Sequence, residues 1–146
     1  MKSSKFSSAQ ESSGLLFWQV ATMWQRTIKK ALHTLELSHT QFVLLAVIQQ
    51  LSEEGRVVTQ KKISDYSQVD VMTVSSVLRL LEKRGWINRL AHPTDTRANQ
   101  IRITIEGEKL VHLAIPLIEG VDEEFFFQEP EKLKEFMTLL TELKNK

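Results

Sequence analysis

Met72, Ser76, Arg79 and Lys83 fall on one face of a predicted helix within residues 69–107, with Thr73 and Ser75 beside them. That face is small and polar at its N-terminal end and basic toward its C-terminal end. Small residues let a helix backbone approach base edges in a DNA major groove, where an arginine can read guanine. Lys61 and Lys62 stand just upstream, at the start of a shorter predicted helix whose free N–H groups also suit phosphate. Downstream, Asp95 and Arg97 sit two residues apart in a turn-rich loop, from which a guanidinium can enter a minor groove narrowed by A·T pairs. The same residue types could coat a solvated helix, and an exposed Asp–Arg pair is worth little by itself. The elements around them therefore decide the reading.

Val74, Val77, Leu78 and Leu81 repeat at i, i+3, i+4 and i+7, so the basic face has an apolar stripe opposite it. Asp70 is placed to cap this helix and Gly85 to end it in a left-handed conformation. Before it, Thr59 caps a helix over 60–66 with Ile63 and Tyr66 facing inward, and Ser67, Gln68 and Val69 form a tight turn. Two helices joined by about three residues, the second basic outside, make a helix-turn-helix. Residues 86–90 and 100–105 alternate as strands, with Ile101, Ile103 and Ile105 on one face. His92, Pro93, Thr94, Asp95 and Thr96 supply the turn chemistry between them. The hairpin directly after the second helix is a wing.

The flanks read as packing helices. Residues 15–35 carry an apolar stripe too broad for one buried side, including Leu15, Leu16, Phe17, Trp18, Met23 and Trp24. Ser38 and Gln41 form a capping box ahead of a dense apolar run, Phe42 to Leu51. Thr104 caps a helix reaching about residue 127, with Leu110, Ala114, Leu117, Ile118, Val121 and Phe125 on one face and Val111 outside it. Pro116 should kink that helix, and Pro130 opens a last one with Leu133, Phe136, Met137, Leu140 and Leu143 in register.

A chain of 146 residues with 42% hydrophobic and 25% charged residues has the composition of a soluble globular domain. With no run of about 18 uncharged apolar residues, no membrane span is expected, and the absence of a signal pattern gives a cytoplasmic default. The Ser-rich stretch 1–12 reads as a disordered tail. The net charge of +1 conceals an asymmetry: residues 56–102 hold nine Lys/Arg and four Asp/Glu, whereas 103–146 hold five Lys and ten acids. A basic middle and an acidic arm suit a nucleic-acid-binding lobe joined to a non-binding one.

Other chemistries find little support. The chain has no cysteine, glycine-rich phosphate loop or nucleophile elbow, so no enzyme is expected. Glu108 and His112 are spaced i, i+4, and His33 and His39 occur elsewhere, but two ligands do not make a metal site, and neither metal nor cofactor is expected. Trp18, Trp24 and Phe42, with the Phe125–Phe127 cluster, could line an aromatic effector pocket, although helical aromatics more often serve core or interface.

The segment from Asp95 to Gly107, with its Asp-x-Arg and Thr-x-x-Gly, resembles the wing signature of MarR-type bacterial transcription regulators. Leu37-Ser38-His39-Thr40-Gln41-Phe42 is similar to that family's opening of the second helix. Thr73-Val74-Ser75 and Leu81 through Arg89 resemble its recognition helix and first wing strand. The resemblance implies a mainly α fold with a small β-wing: a single domain over 13–146, its winged helix-turn-helix at about 38–104 and dimerisation helices at about 13–35 and 105–146. It also implies a homodimer on a pseudo-palindromic double-stranded operator, acting as a repressor responsive to an aromatic or phenolic small molecule. By position, Arg97 would be the minor-groove arginine and Asp95 the carboxylate orienting it, with residues 72–79 facing bases. Family wings often carry basic residues around this Asp, where Thr94 and Thr96 stand here, so fewer phosphate contacts and a shallower salt dependence are expected. The alternatives are a winged-helix module that binds protein instead of DNA, and a metal-responsive regulator.

Overall fold

Six inward side chains on one helix set the centre of the fold. In the computed structural model of the chain, α2 (His39–Glu53) buries Phe42, Leu44, Leu45, Val47, Ile48 and Leu51. That is more than one stripe can hold, so α2 must be packed on several sides. The structure describes Lys5, Ser7, Ser8 and residues 11–146, so most of the tail expected at 1–12 lies outside the described residues. The remaining elements are α1 (Ser13–Leu32), α3 (Gln60–Ser67), α4 (Val71–Lys83), β1 (Ile87–Ala91), β2 (Asn99–Ile103), α5 (Ile105–Phe125) and α6 (Pro130–Lys144). A 3₁₀ turn, His33–Leu35, follows α1 where one continuous helix to residue 35 was expected; Glu36 then takes a left-handed conformation and its N–H donates to the His33 carbonyl. No single helix among the described residues is long and apolar enough to cross a membrane.

The chain divides into two compact units: Leu32–Pro116, and an arm unit formed by the chain up to Ala31 together with Leu117–Lys146. In the first, α2, α3 and α4 pack with an antiparallel sheet in which Ile87 pairs with Ile103 and Arg89 with Ile101. Ile87 and Ile101 are closed to solvent, as are Leu44, Ile48, Ile63, Leu78 and Leu81 of the same unit. The Ile101 N–H donates to the Val58 carbonyl at 2.8 Å, so the extended segment before α3 adds a rung to the sheet.

The helix starts follow local chemistry. The Ser38 hydroxyl accepts from Gln41 N–H at 3.1 Å, while the Gln41 side chain accepts from Ser38 N–H at 3.0 Å. Thr59 caps α3 through Lys62 N–H at 3.3 Å, and Asp70 caps α4 through Thr73 N–H at 2.9 Å. Such caps satisfy N–H groups that the helix itself leaves unpaired. At the other end of α4, Gly85 has φ +80°, and Trp86 N–H reaches back to the Leu81 carbonyl at 3.0 Å. That closure needs a left-handed residue, which glycine adopts without a Cβ penalty.

Four further expectations change. Tyr66 is 48% exposed instead of inward-facing. The inner face of α3 is set by Ile63 and Ser64, whose hydroxyl donates to the Val69 carbonyl at 2.6 Å; at 100° per residue, Tyr66 lies about 110° from the centre of that face. Ile105 does not extend the second strand. It opens α5 and is 69% exposed, because Thr104 caps that helix: its Oγ1 accepts from Gly107 N–H at 3.1 Å. β1 starts at Ile87, one residue later than expected, since Trp86 N–H is used in closing α4. Finally, α5 ends at Phe125 and buries Gly107, Val111 and Ala114, so Val111 belongs to the inner face. The close approach of Gly107 to Trp86 sets that rotation. Pro116 lies inside α5 at the residue where the two units divide.

Within the arm unit, Trp24 Nε1–H donates to Asp122 Oδ1 at 2.8 Å, and the Phe126 ring stands 6.1 Å from the Trp24 ring and 5.3 Å from that of Phe136. α6 buries no residue, and Leu133, Met137, Leu139 and Leu143 remain exposed along it.

Candidate nucleic-acid interface

Gln68 makes the turn that aims α4. Its φ of 66° is left-handed, held by its N–H on the Ser64 carbonyl at 2.9 Å and its side-chain amide on the Asp65 carbonyl at 2.8 Å. The chain then enters α4 with Val74, Leu78 and Leu81 buried and the opposite face open. On that open face Met72 is 82% exposed, and Thr73, Ser76, Arg79 and Lys83 are also exposed; Ser75 is half-buried. Arg79 Nη2 donates to Ser75 Oγ at 3.2 Å, laying the guanidinium along the helix one turn back. The Thr73 hydroxyl donates to Asp70 Oδ2 at 2.7 Å, so it is committed to the cap. That bond first, and the Thr73 N–H second, hold the Asp70 carboxyl below the usual aspartate range. The side chain is therefore ionised and adds negative charge at the positive end of the helix, away from the basic end.

The two lysines of α3 separate. Lys61 is exposed, whereas Lys62 Nζ donates to the Val57 carbonyl at 2.8 Å and ties the helix to the preceding segment. In the wing, Asp95 Oδ1 accepts from Arg97 N–H at 2.9 Å and from Arg97 Nε at 3.4 Å, while its carbonyl accepts from Ala98 N–H at 3.3 Å. The Arg97 side chain is 90% exposed. An open cavity of about 630 Å³ joins these parts: Thr59, Gln60 and Lys61 from the start of α3, Val71 from α4, Arg89 from β1, and His92, Asp95 and Arg97 from the wing. The structure thus brings Lys61 and Arg97 to one cationic surface.

Two other arginines of the lobe, Arg84 and Arg89, do structural work. The Arg84 guanidinium lies 4.2 Å above the Trp86 ring and donates to the Glu36 carbonyl at 2.9 Å. Arg89 pairs with Glu82 at 3.5 Å. Both use a planar cation to bridge neighbouring elements. Sequence reasoning assigned His92 only to the turn, yet its Nδ1 accepts backbone N–H bonds from Thr94 at 3.1 Å and Asp95 at 2.9 Å. A histidine followed by Pro-x-Asp was the available signal.

Of the aromatic trio, Trp18 and Trp24 lie in the arm unit and Phe42 in the other. Trp18 is 70% exposed and Phe42 is buried. A cavity of about 620 Å³ within the arm unit is lined by Phe126, Phe127, Leu133, Phe136, Met137 and Leu140, with Asp122, Glu123, Glu124 and Gln128 around them. Glu108 and His112 share a separate cavity with Gln49 and Lys109; among the described residues no group of three or more His, Cys, Asp or Glu is placed to hold a metal ion.

Comparison with known proteins agrees with this geometry. The sequence profile of the MarR family matches residues 37–98, which span α2 to the wing. The uncharacterized HTH-type transcriptional regulator YdcH of Bacillus subtilis is 41% identical over 140 residues, covering 96% of this chain and 95% of that protein. Among solved structures, a mutant MarR from Escherichia coli complexed with operator DNA superposes with a TM-score of 0.80 at 21% identity, over 89% of this chain and 91% of that one. Bordetella bronchiseptica BpsR, described for regulation of its DNA binding by 6-hydroxynicotinic acid, reaches 0.87 at 19% identity, over 95% of this chain and 97% of that one. A capped helix-turn-helix, a hairpin wing held by Asp95 and Arg97, and near-complete coverage of a relative at this identity lead to one conclusion: the chain belongs to the MarR family of transcriptional regulators.

Proposed function

We propose that the chain is a homodimeric, ligand-responsive repressor that binds a pseudo-palindromic double-stranded DNA operator in the cytoplasm. The observation that carries this reading is the pairing, on one lobe, of the open α4 face with an Arg97 held from behind by Asp95. α4 enters the major groove, with Met72, Ser76 and Arg79 toward base edges and Lys83 toward phosphate. Thr73 and Ser75 flank that contact, Lys61 binds backbone phosphate beside the α3 N-terminus, and Arg97 enters the adjoining minor groove. Lys62, bonded to Val57, contributes through the position of α3 more than through direct contact.

Two copies follow from the arm unit. Leu16, Phe17, Trp18 and Met23 on α1 and Met137, Leu139 and Leu143 on α6 are exposed apolar side chains that a second copy would cover. Its two lobes would meet half-sites about one helical turn, roughly 34 Å, apart. The operator-bound Escherichia coli neighbour has the same fold, which supports the DNA reading, and the BpsR neighbour supports an aromatic acid as the effector class. The Trp24–Phe126–Phe136 cluster offers rings for such a ligand to stack on.

Selection of bound sequences from randomised DNA, with sedimentation of the free and bound protein, tests the proposal. A two-fold symmetric consensus bound by a dimer is expected, and Arg97→Ala should weaken it by about 1–3 kcal/mol per half-site. Recovery of no consensus, with capture of protein partners through α4 instead, would establish the protein-interaction reading.

A further inference from the structure

The wing of this protein is held by a chain of three links, and the first of them is an imidazole nitrogen that accepts two backbone hydrogen bonds. His92 is half-buried at the head of the turn, and its Nδ1 accepts from Thr94 N–H at 3.1 Å and from Asp95 N–H at 2.9 Å. Those two amides place Asp95. The Asp95 carboxylate then accepts from the Arg97 backbone and from Arg97 Nε, and its carbonyl closes the turn onto Ala98. A ring nitrogen accepts only while it keeps its lone pair; protonated, it becomes a third donor facing two others.

We propose that His92 is the positioning residue of the wing: its neutral imidazole fixes the Thr94–Asp95 backbone, and through Asp95 the wing presents Arg97 to DNA only while Nδ1 is unprotonated. This rests on the reading of Arg97 as a DNA contact. The charged groups that line the same cavity as His92 are Lys61 from α3, Arg89 from β1, and Asp95 and Arg97 from the wing itself. The three cations repel a further positive charge in that cavity, and Asp95 attracts one.

The sign of the pH effect distinguishes this clasp from a simple basic patch. A protonated His92 acting only as one more cation near phosphate would tighten DNA binding on acidification. As a clasp, it weakens binding. Asparagine is the informative substitution, because its side-chain oxygen accepts from N–H groups two and three residues on, as in an Asx turn, and does not titrate.

The experiment measures affinity for the selected operator at fixed salt, from about pH 8 to about pH 6, the range in which imidazoles change charge. The wild type should lose about tenfold, the equivalent of one oriented contact, while His92→Asn should hold its affinity throughout and His92→Ala should bind about tenfold more weakly than the wild type at about pH 8 and equal to it at about pH 6. A nitrogen-15 spectrum of the imidazole should show Nδ1 as the unprotonated nitrogen at the upper pH. Identical pH profiles for wild type and His92→Asn, or, at the upper pH, wild-type affinity in His92→Ala or a protonated Nδ1, would each overturn the proposal. Arg97→Ala is the accompanying control. If it binds weakly while His92→Ala binds normally, the His92 clasp alone is wrong; if Arg97→Ala binds normally, the reading of Arg97 falls and takes the clasp with it.

Discussion

Gly107→Ala is the substitution that most directly tests how the wing is joined to the rest of the lobe. A Cβ built on Gly107 would lie 2.3 Å from the Trp86 carbonyl oxygen, 2.8 Å from Ile103 Cγ1 and 3.2 Å from the Trp86 carbonyl carbon. The first of these is a backbone atom, and it is in use: the Trp86 carbonyl accepts from Thr104 N–H at 3.0 Å. Relief therefore requires α5 to move by about 1 Å away from Trp86, or that hydrogen bond to break. Overpacking of this kind costs about 1–3 kcal/mol, partly offset by about 0.5–1 kcal/mol from alanine's better helix propensity. At about 3 °C per kcal/mol for a chain of this size, the net cost should lower the melting temperature by up to roughly 7 °C. Thermal unfolding followed by circular dichroism at matched protein concentration reads the shift. Operator affinity should also fall, since β2 ends one residue before Thr104, which links the wing to α5. A variant that melts above the wild-type temperature would refute the close packing of α5 on Trp86, and with it the account of why Thr-x-x-Gly occurs at this point.

Three further outcomes follow from single side chains. Because the Asp70 carboxyl is held below its ordinary value of 3.8 by Thr73, its cap is fully present above that value and is lost as pH falls through the lower, folded one; Asp70→Asn, which caps without charge, should therefore lose less stability than the wild type in melts below about pH 4. Lys61→Ala should weaken binding to all DNA sequences alike and reduce the salt slope by about one per contact, whereas Lys62→Ala, which removes the bond to Val57, should act chiefly on the melting temperature of the free protein.

What the sequence made legible was whatever depends on near neighbours. Ser38 with Gln41, Thr59, Asp70 and Gly85 are read correctly because a cap or a left-handed stop involves residues within a turn of one another. The errors arise where distant segments compete for the same group. Trp86 N–H closes α4 and its carbonyl receives Thr104, so the strand could start only at Ile87 and the next helix had to begin at Ile105. Val111 was read as lying off the inner face because nothing in the helix pattern records that Gly107 touches Trp86. Tyr66 failed for a different reason: α3 spans only Gln60–Ser67, and a stripe that short is turned by one satisfied serine. Of the candidate interface, Met72, Ser76, Arg79, Lys83 and Arg97 lie exposed as the pattern predicts, but composition could not separate Lys61 from Lys62, nor show which nitrogen of His92 accepts.

The allocation of apolar surface argues that this chain has one self-sufficient part and one that depends on another surface. Among the described residues, the largest fully buried side chains all belong to Leu32–Pro116 except Ile28. The caps, the Schellman-type closure at Gly85 and the Thr104 junction likewise lie inside that unit, so its shape is set by its own bonds. The arm unit has aromatic contacts around Phe126, but α6 buries none of its residues, and α1 exposes Phe17, Trp18 and Met23. Each large apolar side chain covered contributes about 1.5–3 kcal/mol, so a second copy over these helices would supply stabilisation that the arm cannot find within itself. Under the proposed function, a lobe built this way would keep its recognition surface intact if an effector acted on the arms. In the proposed dimer, an aromatic effector bound by the arms would then change how two unaltered lobes are spaced on DNA. The His92 link works inside the lobe, on the wing alone. The two inputs would be separable: acidification should weaken even an isolated half-site contact, while the effector should matter only when both half-sites are engaged.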